Sequence, residues 1–466
     1  MTAERPRNIR ELTASGYRVL PVREEMRKNL IEKVRSGDDL FPGIVGFGQT
    51  VIPQVENAIL AGQDIILLGE RGQAKTRMIR ALVGLLDEEV PVIAGCEIND
   101  DPYRPICQSC RQKVARHGDR VEIAWLHRDR RYGEKLATPD TTIADLIGEV
   151  DPIRVAEGRY LSDELTIHYG LIPRTNRGIF CINELPDLAE RIQVGLFNIL
   201  EERDIQIRGY KVRMPLDVYI VASANPEDYT SRGRIITPLK DRYGAEIRTH
   251  YPKTIEDEIE IMERETARFD DGRVTAWVPP YMKEIVAEIT HQARKSNDIS
   301  QRSGVSVRVS ISNFESMVAN AVRRGIRLGE GQVVPRMSDL PFLFASTKGK
   351  IELDGIEEER EGDVVERLTR HAVLVTFNRY FNVRELEHLV QRFNDGLKVE
   401  VSEGMGSGEY VSVAAEVGGM DDVVERLGGG DSPAAVAAAL EFVFEGLHLN
   451  RRLNKDTVGG RTLYRG

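Results

Sequence analysis

The sequence predicts an α/β fold that is built on a parallel sheet and followed by a helical domain. Strand-like aliphatic runs occur at residues 65–68, 179–182 and 217–223, and segments with helical apolar spacing separate them. This alternation is typical of a parallel sheet that helices cover on both faces. Between about residues 276 and 400 the apolar spacing becomes helical, which predicts a second, helical domain.

The length of the chain sets its expected organisation. At 466 residues it is long enough for two or three domains with full-sized cores. We predict a leader at residues 1–42, with one amphipathic helix at Glu24 to Ser36, and a central core at residues 43–275. A helical domain at residues 276–400 and a C-terminal extension at residues 401–466 should follow. Ser432 and Pro433 form an N-cap and a first-turn proline, so a final helix should run to about Asn450.

The composition excludes several classes of protein. The chain is 41% hydrophobic and 30% charged, has no apolar run long enough to cross a bilayer, and begins without a secretory signal. A formal net charge of −10 argues against broad, nonspecific binding of nucleic acid. Four cysteines in a chain of this length do not make a disulfide scaffold, so the expected compartment is the cytoplasm.

The strongest motif is the segment 64–76, where an aliphatic run ends in a glycine-punctuated loop and a helical pattern follows. In such a loop the backbone amides bind phosphate, the lysine reaches the terminal phosphates and the final hydroxyl binds Mg²⁺. The segment therefore predicts a nucleoside-triphosphate hydrolase that uses ATP and Mg²⁺. Its candidate binding residues are Gly69, Glu70, Arg71, Gly72, Gln73, Ala74, Lys75 and Thr76, with Thr76 as the Mg²⁺ ligand.

Ala74 is a departure from the strict motif, which has glycine before the lysine. Alanine is acceptable at this position if its backbone stays at negative φ, because only positive φ strongly demands glycine. The alternative interpretation is an ordinary strand-to-helix turn that happens to contain two glycines and a lysine.

Two polar residues, Asn183 and Glu184, end the predicted strand at 179–182. ATP hydrolysis needs a carboxylate at such a strand end to orient or deprotonate the attacking water, and Glu184 is placed for that role. The usual residue before this glutamate is an aspartate that holds Mg²⁺ through water. Asn183 keeps the oxygen but has no charge, which predicts weaker Mg²⁺ binding. A plain core strand followed by a turn is the alternative.

Asn225 follows the next predicted strand at its C-terminal end. Ligands of parallel α/β sheets bind at that edge, so this amide is expected to position the water or contact the γ-phosphate. Because Asn225 precedes a proline, a simple turn is the alternative interpretation.

Together these motifs resemble the AAA+ ATPases, and within them the MoxR and magnesium-chelatase I-subunit group. Further stretches carry the resemblance, at residues 41–49, 148–152, 157–160, 170–174, 176–178, 200–210 and 237–244. The resemblance implies an AAA+ αβα core followed by a helical lid. It makes Lys75 and Thr76 the Walker A residues, Glu184 the catalytic Walker B residue, and Asn225 sensor 1.

The resemblance also implies roles for two arginines. Arg242 matches the arginine finger, and Arg308 is the best match for sensor 2, with Arg302 as a competitor. A guanidinium is permanently charged and can stabilise the negative charge that is spread over phosphate oxygens. For each arginine, a surface salt bridge is the alternative interpretation. A finger acting on the next subunit implies a closed ring, which for this family is expected to be a hexamer.

The expected function is that of a magnesium-chelatase I-like motor subunit that remodels a partner protein, often one with a von Willebrand A domain. A chelatase subunit that assists metal insertion and a MoxR-type assembly chaperone share the same ATPase parts, so the sequence leaves both open. A transcription activator would need a characteristic loop and a C-terminal helix-turn-helix, and neither is present. A nucleotide-binding scaffold that hydrolyses poorly is a further alternative, suggested by Asn183.

Three cysteines form a possible zinc site outside the ATPase motifs. Cys96, Cys107 and Cys110 lie within fifteen residues and are followed by His117 and His127. Three thiolates and one imidazole would complete a tetrahedral Zn²⁺ site, and free thiols in a surface insertion are the alternative. Cys181 lies in a strand and is expected to be a core residue.

Residues 116–135 are locally basic and include Trp125 and Tyr132. We predict a solvated insertion or a subunit contact here. A nucleic-acid surface is the alternative, and the negative net charge of the whole chain disfavours it.

Overall fold

The computed structural model describes residues 5–151, 164–207, 213–225, 233–267, 272–301, 304–353, 361–430 and 432–466. Within it the chain forms two compact units, Met1–His250 and Tyr251–Gly466. The limits predicted at residues 42, 275 and 400 remain predictions about domain organisation. No helix in the described ranges is long and apolar enough to cross a membrane.

The first unit is built on a five-stranded sheet in which all neighbouring strands are parallel. From the first to the fifth central strand, in chain order, the members are Ile65–Leu68, Tyr132–Leu136, Gly178–Asn183, Val218–Ala224 and Ala245–Arg248. Across the sheet the order is fifth, first, fourth, third and second. The parallel α/β fold predicted from the sequence is therefore confirmed.

The first, third and fourth central strands are buried along their whole length. Alternate residues of each strand enter two different apolar clusters, one on each face: Ile66, Phe180 and Ile220 lie in one, and Ile65 and Val221 in the other. A strand covered on both faces needs apolar residues at every position, which explains why these three are visible in the sequence. The predicted core residue Cys181 is fully buried in this sheet.

The interpretation of residues 116–135 as a solvated insertion is wrong for much of the segment, and the alternative of a subunit contact remains a prediction. Residues 123–127 pair with residues 89–93 in an antiparallel hairpin, and residues 132–136 form the second central strand at the edge of the sheet. The basic composition concealed these strands because an edge strand carries few apolar residues and mixes partly buried with exposed positions.

The most basic part of this segment contains a buried charge, Arg131, which is 1% exposed. Its guanidinium donates to both carboxylate oxygens of Glu25, at 2.7 and 2.6 Å, and its Nε donates to the carbonyl oxygen of Arg177 at 2.7 Å. Glu25 belongs to the helix Val22–Ser36, two residues longer than predicted. This ion pair connects the helix with the starts of the second and third central strands.

Besides Glu25, residues 6–14 of the leader contact the rest of the first unit. The Trp125 indole donates to the carbonyl oxygen of Pro6 at 3.0 Å, and the amide of Ile123 donates to the carbonyl oxygen of Arg7 at 2.9 Å. The short helix Ile9–Ala14 buries Leu12 completely. The leader is therefore packed along the hairpin at residues 89–93 and 123–127.

Further elements of the first unit lie around the sheet. Among its described residues, the α-helices besides the two in the leader are Ile52–Ala61, Lys75–Ala81, Gln108–His117, Ile143–Leu146, Leu171–Arg174, Glu190–Gly195, Phe197–Glu201 and Thr237–Lys240. Short antiparallel pairs join Gly148–Val150 with Ile167–Tyr169 and Asp204–Ile205 with Met214–Pro215. The 3-10 helices are Leu82–Leu85, Gly118–Arg120, Arg128–Arg131, Glu164–Thr166 and Leu185–Asp187.

The second unit is mainly helical, as predicted. In the part of this unit that the structure describes, the α-helices are Ile255–Glu265, Pro280–Ala293, Arg308–Leu328, Phe344–Lys348, Glu361–Tyr380, Glu387–Asn394, Ser407–Val417, Asp421–Arg426 and Pro433–Leu449. Its 3-10 helices are Met337–Leu343 and Val383–Leu386, and Thr275–Ala276 pairs with Gln332–Val333 in parallel. The final helix begins after Ser432, as the N-cap pattern predicted, and Leu440, Val443 and Leu447 are fully buried.

The chain after the final helix forms strands, which the sequence analysis did not predict. Asn454–Val458 and Arg461–Arg465 form an antiparallel hairpin, and the second of these pairs with Lys398–Ser402. Gly459 and Gly460 connect them at φ of 61° and 79°. A glycine pair suits a two-residue hairpin because both positions require positive φ.

Candidate nucleotide site

The predicted ATPase motifs that contain Lys75, Glu184 and Asn225 lie at the carboxyl ends of three adjacent central strands. The fourth central strand lies between the first and the third, so Asn225 is flanked by the loop after residue 68 and by Glu184. Parallel strands present their carboxyl ends at one edge, which is where ligands of such sheets bind. The fold therefore brings together three motifs that are far apart in the sequence.

Lys75 begins the helix after the loop and is 7% exposed. Its ammonium group donates to the carbonyl oxygen of Glu70 at 2.9 Å, to Oδ1 of Asn225 at 2.7 Å, and to the carbonyl oxygen of Gly69. The cation is thus held over the loop and against the end of the fourth central strand.

Asn225 connects this lysine to the predicted catalytic carboxylate. Its Nδ2 donates to Oε2 of Glu184 at 2.7 Å while its Oδ1 accepts from Lys75. An ammonium group only donates and a carboxylate only accepts, so the orientation of the amide follows from its two neighbours. Lys75, Asn225 and Glu184 form one continuous contact chain.

The backbone of Ala74 is left-handed, with φ of 55°. The expectation that alanine is tolerated here at negative φ is therefore wrong. A left-handed alanine costs about 1–2 kcal/mol because its Cβ crowds the following carbonyl oxygen. Gly72, at φ of 77°, takes the same region without that cost.

The shape of the loop is set by contacts that surround Ala74. Oε1 of the buried Gln73 accepts from the amide of Glu70 at 3.1 Å and from the hydroxyl of Thr249 at 2.6 Å. A Cβ added to Gly69 would lie 1.8 Å from the Thr249 hydroxyl oxygen, so this position requires glycine. A cleft of about 400 Å³ opens beside the loop, lined by residues that include Gly69, Glu70, Gln73, Lys240 and Arg248.

Glu184 is also left-handed, with φ of 55° and ψ of 49°. Its amide donates to Oγ of Ser223 at 3.2 Å, and the Ser223 hydroxyl in turn donates to Oδ1 of Asn183 at 3.1 Å. Strained residues of this kind persist where surrounding contacts hold them, and they cluster at functional sites. The strain turns the chain at the end of the third central strand and places the carboxylate beside Asn225.

Asn183 has a carboxylate partner that the sequence analysis missed. Its Nδ2 donates to Oε1 of Glu134 at 2.5 Å, and Glu134 lies on the adjacent second central strand. Glu134 is 49 residues away in the sequence and falls in a segment that looked like a basic insertion. Glu134 is one of four acidic residues in that locally basic segment, so no local signal singled it out as a site residue.

Glu134 is held in its ionised form. Burial raises the pKa of its carboxyl group, but hydrogen bonds from Arg80, Tyr132 and Asn183 lower it, and the net shift is downward. Arg80 donates through Nε at 3.0 Å, and the Tyr132 hydroxyl donates at 2.9 Å. A negative charge therefore lies directly beside the uncharged Asn183.

Arg242 does not contact Lys75, Asn225 or Glu184 in the described structure, and its partners lie in its own polypeptide. Its Nε donates to Oε2 of Glu201 at 2.7 Å, its NH1 donates to the carbonyl oxygen of Pro238 at 2.7 Å, and its guanidinium lies 4.4 Å from the Phe197 ring centroid. A role on a neighbouring subunit remains a prediction.

Arg308 is exposed and begins the helix Arg308–Leu328 of the second unit, and its sensor 2 role also remains a prediction. Its competitor Arg302 lies outside the described residues, as do residues 157–160 of the family resemblance.

The predicted zinc ligands Cys96, Cys107 and Cys110 converge, but the fourth member of their cluster is Asp100 and not a histidine. His117 is exposed at the far end of the helix that contains Cys110. The Nδ1 atom of His127 accepts instead from the amide of Asp129 at 3.3 Å.

Comparisons with known proteins agree with this geometry. The profile of the AAA domain of the dynein-related subfamily matches residues 121–243. The 38 kDa magnesium-chelatase subunit of Cereibacter sphaeroides is 28% identical over 240 residues, which cover 49% of this chain and 63% of that protein. A ChlI homologue from Methanocaldococcus jannaschii is 27% identical over 235 residues, which cover 48% of this chain and 58% of that protein.

A longer match is with the magnesium-chelatase subunit ChlI of Nostoc, 24% identical over 370 residues, which cover 74% of this chain and 91% of that protein. The chain spans less than two thirds of the length of the first two relatives. The profile match and the parallel sheet show an AAA domain, of the AAA+ class, within the first unit. Within that class it is related to the magnesium-chelatase I subunits, which confirms the predicted MoxR and magnesium-chelatase group.

We expect Ala74→Gly to raise the free energy of unfolding by roughly 0.5–1 kcal/mol, because glycine removes the left-handed strain but gains entropy in the unfolded chain. Urea denaturation of the full chain measures this change. The matched control is Ala81→Gly, in the helix that follows the loop, which should lower stability by about 0.5–1 kcal/mol. Equal losses in the two variants would contradict the strain at Ala74.

Proposed function

We propose that the chain is an ATP-hydrolysing AAA+ motor subunit of the magnesium-chelatase I type, which couples ATP turnover in a ring to remodelling of a partner protein. The observation that carries this proposal is the contact chain of Lys75, Asn225 and Glu184 at the carboxyl edge of the sheet. A fixed cation, a positioning amide and a carboxylate beside a phosphate-binding loop are the groups that phosphoryl transfer to water uses.

In the proposed reaction, the triphosphate of ATP lies on the loop 69–76, and Lys75 stabilises the negative charge on its terminal phosphate. Water attacks the γ-phosphorus, and the bond from this atom to the β–γ bridging oxygen breaks, so that ADP and phosphate are the products. Glu184 orients the water and accepts its proton. Asn225 positions Glu184 through the 2.7 Å hydrogen bond from Nδ2.

The oxygen donors near the loop fit Mg²⁺, which prefers carboxylate, amide and hydroxyl oxygens. Thr76 would hold the ion directly, and the amide oxygen of Asn183 would accept a hydrogen bond from a metal-bound water. When bound, Mg²⁺ neutralises charge on the phosphates. Asn183 has no charge to contribute, but the ionised Glu134 bonded to its amide supplies a negative charge one strand away.

Steady-state ATPase measurements test the proposal. We expect Mg²⁺-dependent turnover by the wild type, at least a roughly 100-fold loss in Glu184→Gln with ATP binding retained, and loss of ATP binding in Lys75→Ala. Glu190→Gln is the control, since Glu190 is an exposed glutamate in the helix that follows Glu184 in the sequence. Equal and negligible rates in wild type and Glu184→Gln would favour a nucleotide-binding scaffold.

The contribution of Glu134 is tested by the Mg²⁺ dependence of turnover. Glu134→Gln should raise the Mg²⁺ concentration needed for half-maximal activity several-fold, because Asn183 then has no negative charge beside it. The control Glu122→Gln changes an exposed glutamate and should leave the Mg²⁺ titration unchanged. A Glu134→Gln enzyme with the wild-type Mg²⁺ requirement would show that this carboxylate is only structural.

The ring proposal assigns Arg242 to the nucleotide of a neighbouring subunit, once its contact with Glu201 is released. Arg242→Ala should keep ATP binding and lose about 1,000-fold or more in turnover. Arg234→Ala, which removes an exposed salt bridge to Glu190, is the control.

A mixing experiment separates action on a neighbouring subunit from action within one chain. Mixed rings of Arg242→Ala and Glu184→Gln chains contain interfaces in which an intact Glu184 faces an intact Arg242. Activity that reappears on mixing two inactive variants is the expected result. Mixed rings that stay inactive would contradict the trans assignment.

The proposed assembly is a homo-oligomeric ring, expected to be a hexamer, in the cytoplasm, with a protein partner that contains a von Willebrand A domain. A MoxR-type assembly chaperone is the alternative client role, since it would use the same ATPase groups. Among functions of another class, a poorly hydrolysing scaffold is favoured specifically by Asn183 in place of aspartate.

A further inference from the structure

A cluster of three cysteines and one aspartate lies apart from the nucleotide site. Cys96 and Asp100 follow the hairpin strand Glu89–Ile93, and Cys107 and Cys110 are the N-cap and third residue of the helix Gln108–His117. The three sulfur atoms and a carboxylate oxygen all lie within 4.8 Å of one another. We propose that these four side chains bind one Zn²⁺ ion as a structural site.

The donor set and its dimensions match zinc. Zn²⁺ binds tetrahedrally to thiolates at about 2.3 Å and to carboxylate oxygens at about 2.0–2.2 Å, which places the sulfur atoms roughly 3.8 Å apart. The observed separations need only a small contraction to reach that geometry. Soft thiolate ligands select Zn²⁺ over Mg²⁺, so the ion that serves the ATPase site would not occupy this one.

Asp100 gives an independent indication of a ligand. Its side chain is completely buried, and its Oδ2 accepts from the amide of Cys107 at 3.1 Å. Its Oδ1 is buried with no hydrogen-bond partner among the described residues. A buried, unpaired carboxylate oxygen is unfavourable by itself, and coordination to a cation would satisfy it.

The nearby carboxylate Glu164 does not share this property. Its Oε1 accepts from the amide of Gln108 at 2.7 Å and its Oε2 accepts from Arg111 at 2.8 Å. Both oxygens are therefore engaged. Asp100 is the carboxylate that the geometry assigns to the metal.

Backbone amides already support the sulfur atoms. The amide of Cys110 donates to Sγ of Cys107 at 3.3 Å, and the amide of Asp100 donates to Sγ of Cys96 at 3.4 Å. Such hydrogen bonds stabilise thiolates and orient them, as second-sphere contacts do in metal sites. Four protein ligands leave no open position, so the site is structural and not catalytic.

The site would stabilise the long connection between the two strands of the hairpin. Residues 94–122 form this connection between Glu89–Ile93 and Ile123–His127, and the helix Gln108–His117 is its longest element. A metal that joins Cys96 and Asp100 to Cys107 and Cys110 fixes the start of this helix against the end of the first hairpin strand.

Metal analysis of the full chain, purified under reducing conditions from zinc-supplemented cells, tests the proposal. We expect about one equivalent of zinc per chain. Substituted Co²⁺ should give the visible absorption of a tetrahedral site with thiolate charge-transfer bands. Wild-type protein with reduced thiols, no bound zinc and no Co²⁺ spectrum would overturn the proposal, as would iron or a disulfide between Cys107 and Cys110.

Variants separate the proposed ligands from the histidines. Cys107→Ser should lose the metal, and Asp100→Ala should weaken its binding by at least about tenfold, since even outer-shell changes at metal sites have effects of that size. His117→Ala and His127→Ala should keep full zinc content. Loss of zinc in either histidine variant with retention in Asp100→Ala would refute the assignment of the fourth ligand. The wild-type metal content decides the proposal even if a cysteine variant fails to fold.

Discussion

The nucleotide site depends on one constraint, which is that adjacent parallel strands end at the same edge of a sheet. The fourth central strand lies between the first and the third, so the amide of Asn225 can accept from Lys75 and donate to Glu184 at once. Neighbouring strands are about 4.8 Å apart, so a strand order that did not place the fourth strand between the first and the third would move Asn225 away from Lys75 or Glu184 by at least one strand width. The contact chain is therefore a property of the topology as much as of the three residues.

The same edge contains two non-glycine residues in the left-handed region, Ala74 and Glu184. Each is held by contacts to a residue at the end of another central strand or directly after it. The Thr249 hydroxyl donates to Gln73 beside Ala74, and Ser223 accepts from the amide of Glu184. Strain of this kind persists only where surrounding contacts stabilise it, so both positions are evidence that the geometry of the edge is functionally constrained.

The charge of the site is distributed differently from the usual Asp-Glu arrangement. Asn183 is neutral, and the negative charge lies instead on Glu134 of the adjacent second central strand, bonded to the asparagine amide. The start of that strand is anchored by the buried ion pair of Arg131 with Glu25. Breaking such a buried pair typically costs several kcal/mol, so the helix that contains Glu25 helps to hold the strand that contains Glu134.

Local patterns determined the first, third and fourth central strands, the loop that ends at Lys75, and the final helix after Ser432, because burial on both faces, phosphate-loop spacing and capping leave direct marks in neighbouring residues. Edge strands leave weak marks, so the second central strand was not predicted. The partnership of Glu134 with Asn183, and the convergence of Asp100 with the three cysteines, depend on tertiary packing. The sequence identified the types of chemical group available, and only the folded chain decided which of them meet, because those contacts join residues that periodicity and spacing do not relate.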